Sequence, residues 1–150
     1  MGLALTHPKP GILSMQLQAL LSLLDSPDPL PALTDLYGNH PGTLQDQKNR
    51  YVELVKQFQE VFPNDTGVDL FSSPGRTEVG GNHTDHNAGR ILAAAVNLDI
   101  LAVVSPTDDR NIVIDSWGYR IIEVDSRNLE KLEEEVATPA ALVRGICARM

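Results

Sequence analysis

The chain of 150 residues has little cysteine, few aromatic residues and few basic residues, and each shortage excludes a class of protein. Its single cysteine, Cys147, cannot form an internal disulfide, so we expect a reducing, cytoplasmic setting. Twelve basic against 20 acidic side chains give a net charge of −8, which argues against nucleic acid or an anionic membrane surface as a partner. No stretch approaches the roughly 18 apolar residues of a membrane helix. A folded domain whose core rests on Leu, Val, Ile and Ala is expected.

Apolar spacing predicts helices first, then strands, then a last helix. A leucine stripe predicts an amphipathic helix from Ser14, and apolar residues three and four apart predict a helix of about five turns from Thr43. Residues 68–73 predict a short strand closed by Pro74-Gly75, and residues 91–104 predict two strands or one long buried strand. Two further strands follow at residues 112–115 and 121–124. A last helix starts with Thr138 as its cap and Pro139 at its first position, and continues over residues 140–149. This order predicts an α+β fold with N-terminal helices packed on a mainly antiparallel sheet.

Proline is distributed unevenly along the chain. Residues 1–42 hold six of the ten prolines and predict a helix within a proline-rich arm. Residues 43–150 are expected to form one further domain.

The chemistry of the chain is concentrated in residues 74–89, a polar segment with four glycines, one arginine, two histidines and two carboxylates. Glycines let a backbone approach a ligand closely. A Walker-type phosphate loop is excluded, because Gly80-Gly81 is followed by Asn82 and no lysine occurs between Lys56 and Lys131.

Three interpretations of this segment stay open on residue types alone. His83, Asp85 and His86 could ligate a metal, although adjacent residues point to opposite sides of an extended segment. The segment could be an ordinary polar surface loop. It could also bind a neutral sugar, because a carboxylate accepts from two neighbouring hydroxyls while His and Asn both donate and accept.

At these residues the sequence resembles the galactokinase signature of the GHMP family of small-molecule kinases. That signature runs Gly-Arg, about four residues, Gly-Glu-His-x-Asp-Tyr, then Gly and an apolar strand. The matching positions here are Gly75-Arg76, Gly81-Asn82-His83-Thr84-Asp85-His86, Gly89 and residues 91–98. Flanking segments also match: Leu36-Tyr37-Gly38, residues 47–51, residues 70–74 and residues 141–145. Asn82 stands where the signature has Glu, and His86 where it has Tyr.

The resemblance implies an enzyme that phosphorylates galactose at its anomeric hydroxyl with ATP and Mg²⁺. It implies that Arg76 stabilises the transition state and that Asn82, His83 and Asp85 bind the sugar. It also implies the N-terminal domain fold of GHMP kinases, similar to ribosomal protein S5 domain 2.

The same resemblance implies that part of the enzyme is missing. The family's Gly- and Ser-rich ATP loop, its aspartate base and its Mg²⁺ ligands follow the helix at Pro139, and no such loop occurs in this sequence. We therefore expect an N-terminal piece, inactive alone, that exposes apolar surface around residues 91–104 and the last helix and that is marginally stable or self-associates. Alternatives are a galactose-binding or sensing module without catalysis, and a kinase for a related hexose such as galactosamine.

Overall fold

A computed structural model describes residues 15–65, 67–81 and 84–150, with only the backbone of Asp85. Two compact units make up these residues, one ending at Ser105 and the other spanning residues 106–150. Each is described by itself.

The first unit begins with three helices, α1 (Leu17–Leu24), α2 (Pro31–Tyr37) and α3 (Pro41–Val61). Proline occupies the first position of α2 and of α3, where its missing N–H costs nothing and its fixed φ suits a helix. The helix predicted from Thr43 therefore begins two residues earlier. Its cap is His40, whose Nδ1 accepts from the Thr43 N–H at 3.4 Å.

A three-stranded sheet, in the order β1-β2-β3, completes the first unit. Its strands are β1 (Met15–Gln16), β2 (Gly67–Gly80) and β3 (Leu92–Val104), and both pairings are antiparallel. Because Met15 and Gln16 pair with β2, α1 begins at Leu17 and not at Ser14. The leucine stripe predicted on α1 is confirmed, since Leu17, Leu20 and Leu24 are buried.

The core of the first unit lies between these helices and the sheet. Tyr51 and Val55 of α3 and Val68 of β2 are at most 4% exposed and pack with the α1 leucines and Leu33 of α2. The charged side chain of Lys48 is buried too, and its ammonium donates to the carbonyls of Ser26 and Asp28 at 2.6 and 2.7 Å. These bonds satisfy the buried charge and fix the connection between α1 and α2.

β2 is more than twice as long as predicted, because Pro74-Gly75 does not end it. Pro74 pairs with Asp99, and Arg76, two residues on, pairs with Ala95, four residues back along β3. Residues 96–98 therefore form a bulge opposite Gly75. A Cβ at Gly75 would lie 3.2 Å from the Leu98 carbonyl oxygen, so glycine at this position lets the bulged strand approach.

β3 is one continuous strand, which was one of the two predicted alternatives, but it is not buried. Leu101 and Val103 pack against the core, whereas Leu98 and Ile100 are 75% and 78% exposed. The prediction of a buried strand was wrong for this reason. The expected exposure of apolar surface is confirmed here and on the last helix, where Leu142, Ile146 and Met150 are exposed.

The second unit contains a two-stranded antiparallel sheet and a helix. Its elements are β4 (Asn111–Ile114), β5 (Ile122–Asp125) and α4 (Pro139–Arg149), with Thr138 capping α4 as predicted. Arg144 of α4 is 6% exposed. Its Nε and Nη2 donate to the two carboxylate oxygens of Glu135 at 2.7 Å each, and Nη1 donates to the Asn128 carbonyl. This fork holds α4 against the loop that precedes it.

The α+β class with antiparallel sheets is confirmed. The boundary predicted at residue 42 stays a prediction. Within the residues described, no helix is long and apolar enough to cross a membrane.

Candidate functional site

The glycine-rich segment lies at one end of the β2–β3 hairpin. Its first part, through Gly80, belongs to β2, and residues 81–91 form the loop that returns the chain to β3. The alternative of an ordinary surface loop therefore does not apply to residues 75–80, which lie on β2. Arg76 lies on a strand opposite Ala95, and its side chain is exposed.

Thr84 organises the described part of this loop. Its hydroxyl donates to the Gly81 carbonyl at 2.8 Å, and its own carbonyl accepts from the Asn87 and Gly89 N–H groups at 3.0 and 2.8 Å. Between these contacts, residues Asp85–Asn87 form one turn of 3₁₀ helix. The part of the loop from Thr84 to Gly89 therefore has a hydrogen-bonded backbone.

Two glycines are sterically required for this loop. Gly81 has φ +115°, and a Cβ there would lie 2.5 Å from the Arg90 carbonyl oxygen and 2.7 Å from Ile91 Cα. A Cβ at Gly89 would overlap the Thr84 side chain. At Gly81 and Gly89, glycine is thus required by close contacts with neighbouring parts of the chain.

The predicted site residues fall on different parts of this hairpin. Arg76 lies on β2, and Asp85 begins the 3₁₀ turn. Asn82, His83 and the side chain of Asp85 lie outside the described residues. The backbone therefore brings the arginine strand and the aspartate turn into one hairpin, and the sugar-binding roles of these residues stay predictions.

The metal interpretation depends on His83, Asp85 and His86, of which only the side chain of His86 is described. His86 is exposed, and its Nε2 lies 3.2 Å from Asn87 Nδ2. In the described part of the chain, no group of three His, Cys, Asp or Glu residues could hold a metal ion. His83 and the Asp85 side chain are not among the residues considered, so the metal alternative stays open.

Sequence reasoning missed a buried polar cluster around Asp99 of β3, whose side chain is 5% exposed. Ser72 of β2 donates to its Oδ2 at 2.6 Å, and the Tyr37 hydroxyl at the end of α2 donates to the same oxygen. Arg50 of α3 pairs with Oδ1, with Nη1 2.9 Å away. The Tyr51 hydroxyl lies 3.1 Å from that of Tyr37. We call Tyr37, Arg50, Ser72 and Asp99 the Asp99 cluster.

The charge state of the Asp99 cluster follows from these contacts. Burial alone would raise the pKa of Asp99, but the hydrogen bonds from Ser72 and Tyr37 and the charge of Arg50 hold that pKa below its ordinary value. Burial, and then the hydrogen bond to Asp99, raise the pKa of Tyr37 above its ordinary value of 10.0. At neutral pH an ionised carboxylate is therefore held by a neutral phenol, a hydroxyl and a guanidinium.

The signal that could have revealed this cluster was a single acidic residue inside an apolar strand pattern. Its partners are 27, 49 and 62 positions away in the chain, so sequence spacing could not identify them. Three of the four residues lie in flanking segments that carried the family resemblance, which are Leu36-Tyr37-Gly38, residues 47–51 and residues 70–74.

Two shallow surface depressions of the described residues lie away from the hairpin loop. One, of about 380 Å³, is lined by α4 residues including Leu142 and Ile146. The other, of about 490 Å³, lies along α3 beside Val52 and Lys56. Neither is lined by a residue of segment 74–89.

Comparison with known protein families defines the class to which this hairpin is similar. Residues 56–106 match the family model described as the galactokinase galactose-binding signature. This range spans the end of α3, all of β2, the hairpin loop and all of β3. The hairpin built around the glycine-rich loop is therefore the part of the chain that carries this signature.

Particular galactokinases are also similar to the chain. The chain is 37% identical over 86 residues to the galactokinase of Lactobacillus helveticus, which is 55% of this chain and 22% of that protein. It is 38% identical over 85 residues to that of Candida albicans (56% and 15%) and 33% identical over 79 residues to that of Fusobacterium nucleatum (53% and 20%). The chain thus spans about a fifth of these relatives. No solved structure matches. The resemblance to galactokinases is confirmed.

Proposed function

We propose that this chain is the N-terminal, sugar-binding part of a galactokinase-like cytoplasmic enzyme that transfers the γ-phosphate of ATP to the anomeric hydroxyl of galactose. The observation that carries the proposal is that the galactose-binding signature at residues 56–106 coincides with the hairpin and its hydrogen-bonded loop. The proposed fold is that of a GHMP kinase N-terminal domain, with residues 1–42 as an arm and 43–150 as the sugar-binding domain.

The proposed binding chemistry assigns sugar hydroxyls to Asn82, His83 and Asp85. An aspartate carboxylate accepts from two adjacent hydroxyls, and an amide or imidazole supplies both a donor and an acceptor. A site that pairs each hydroxyl with a polar group rejects stereoisomers strongly. The Thr84 contacts support this assignment for Asp85, because they hold the backbone of the turn that begins at that residue.

Arg76 is proposed to stabilise the transition state. A guanidinium supplies charge-assisted donors to the negative charge that develops on a transferred phosphoryl group. Its exposure on β2, beside the hairpin loop, leaves it free to contact a nucleotide held by other residues.

ATP and Mg²⁺ are proposed to be held by other parts of the enzyme. The sequence has no glycine- and serine-rich phosphate loop, and the described residues hold no cluster of three acidic or histidine side chains. We propose that the nucleotide is bound by residues outside this sequence and that the 150-residue chain alone does not turn over ATP.

Calorimetric titration of the chain with galactose tests the sugar site. We expect galactose to bind and glucose, its 4-epimer, to bind at least about tenfold more weakly. Asp85→Ala should weaken galactose binding by at least about tenfold, whereas Asp108→Ala, an exposed aspartate of the second unit, is the matched control and should leave it unchanged. Equal affinity of both variants, or equal binding of the two sugars, would contradict the proposal.

Titration with galactosamine and an activity assay of a longer polypeptide distinguish two alternatives. Tighter binding of galactosamine than of galactose would favour a kinase for that hexose, an alternative suggested by Asn82 in place of Glu. If a longer polypeptide that contains this sequence and a phosphate loop binds galactose but releases no ADP from ATP, a non-catalytic sensing module is favoured.

A further inference from the structure

The Asp99 cluster lies where regular pairing between β2 and β3 ends. Asp99 and Pro74 form the last regular pair before the bulge, and the next pair is Arg76 with Ala95. Gly75 separates the two and is packed against the bulged backbone at Leu98. The geometry of the Arg76 strand therefore depends on how the pair at Asp99 is held.

Asp99 differs from its neighbours on the same face of β3. Leu101 and Val103 follow at two-residue spacing and pack against the hydrophobic core, so an apolar residue would suit this face. A buried carboxylate is costly unless it is paired, and here hydrogen bonds from α2 and β2 meet at Oδ2 while the Arg50 guanidinium of α3 forms an ion pair at Oδ1. Directional contacts of this kind specify one arrangement of the elements that make them.

The contacts of Ser72 determine which face of β2 turns toward the helices. A slip of one residue would move Ser72 to the opposite face and break its bond to Asp99. Strand alternation places Arg76, four residues on and about 13 Å away, on the same face of β2 as Ser72. Fixing Ser72 thus fixes the face on which Arg76 is presented.

We propose that Asp99 is a positioning residue for Arg76, and that the Asp99 cluster locks the register and facing of β2 immediately before the arginine. The role that Arg76 then plays rests on the proposed function. The locking itself is a property of the chain and can be measured without any ligand.

Amide hydrogen exchange of the 150-residue chain tests this proposal. Asp99→Ala should speed exchange of the β2 amides of residues 76–80 about tenfold more than that of Val55, a buried α3 residue that reports on the whole unit. Tyr37→Phe removes one donor and should give a smaller change, about threefold, in the same place. The matched control is Val103→Ala, which weakens the packing of β3 against the core at a residue paired with Leu70, outside the cluster, and should speed exchange at both positions by the same factor.

The outcomes separate this proposal from the proposed function. Equal changes at residues 76–80 and at Val55 in Asp99→Ala and Tyr37→Phe would overturn the positioning role. If Asp99→Ala does not fold, Tyr37→Phe alone decides. Galactose should also shift the Arg76 Nε–H resonance, and less so in the Tyr37→Phe chain. A wild-type chain that shows no response to galactose counts against the sugar site, while the exchange result still decides the role of Asp99.

Discussion

Adjacent glycines in the hairpin are predicted to respond oppositely to the same substitution. At Gly81, φ is +115° and an added Cβ would lie 2.5 Å from the Arg90 carbonyl oxygen. An L-residue held in such a conformation costs about 1–3 kcal/mol, and the steric overlap adds to it. At Gly80, φ is not positive and a Cβ meets nothing within 4 Å. Gly80→Ala should therefore be neutral or stabilise by about 0.4–1 kcal/mol, because alanine restricts the unfolded chain.

The expected difference between Gly81→Ala and Gly80→Ala is about 2 kcal/mol, or roughly thirtyfold in the folding equilibrium. Urea unfolding measures it, with NMR intensities of the buried Val55 and Val68 amides reporting on the first unit. Strain confined to the loop would appear instead as lost protection at Gly89, whose N–H bonds to Thr84. Equal midpoints together with equal Gly89 protection in the two variants would refute the steric reasoning.

Three further predictions concern acid stability, association and the last helix. The pKa of Asp99 in the folded chain lies below its ordinary 3.8, so the stabilisation by its carboxylate is complete above pH 3.8 and is lost as the pH falls below that value. In urea unfolding from pH 6 to 3, the free energy of unfolding of Asp99→Asn should therefore fall less steeply with acid than that of the wild type. The chain should self-associate through exposed apolar side chains, and Ile100→Lys should lower its weight-average mass in sedimentation; a wild-type chain that is monomeric at all concentrations would contradict this. Arg144→Lys loses the paired contact to Glu135 and should speed amide exchange in α4, whereas Arg149→Lys, at the exposed end of the same helix, should not; equal exchange in the two variants would argue against the fork.

Local signals predicted most of the helices and the class of the fold. The leucine spacing of α1, the apolar spacing of α3, the proline start of α4 and the apolar run of β3 depend on neighbours within one or two turns or strand residues. Periodicity and capping act over that same range, which is why they can be recognised in the sequence.

The length of β2 was not predictable from local signals. Pro74-Gly75 is a turn signal by composition, but in the structure it lies within β2, beside the bulge formed by β3. A proline can stay in a strand where the pairing is irregular, and only the partner strand determines whether it is.

The candidate site was predictable in part for a related reason. The glycine spacing of the hairpin loop is local, and it identified the segment that matches the galactose-binding signature. The Asp99 cluster depends on contacts across four elements. Its residues could therefore be recognised one by one in the sequence, but the sequence could not show that they contact each other.

The bulge at residues 96–98 has a consequence for the outer edge of β3. In the part of the chain that the structure describes, β3 pairs with β2 alone, so its other edge offers backbone donors and acceptors along thirteen residues. A straight incoming strand cannot follow a kinked one, so the open edge is divided into two short runs. Fibril-like stacking of this apolar strand is thereby discouraged, and a strand that does add here must carry a matching irregularity of its own.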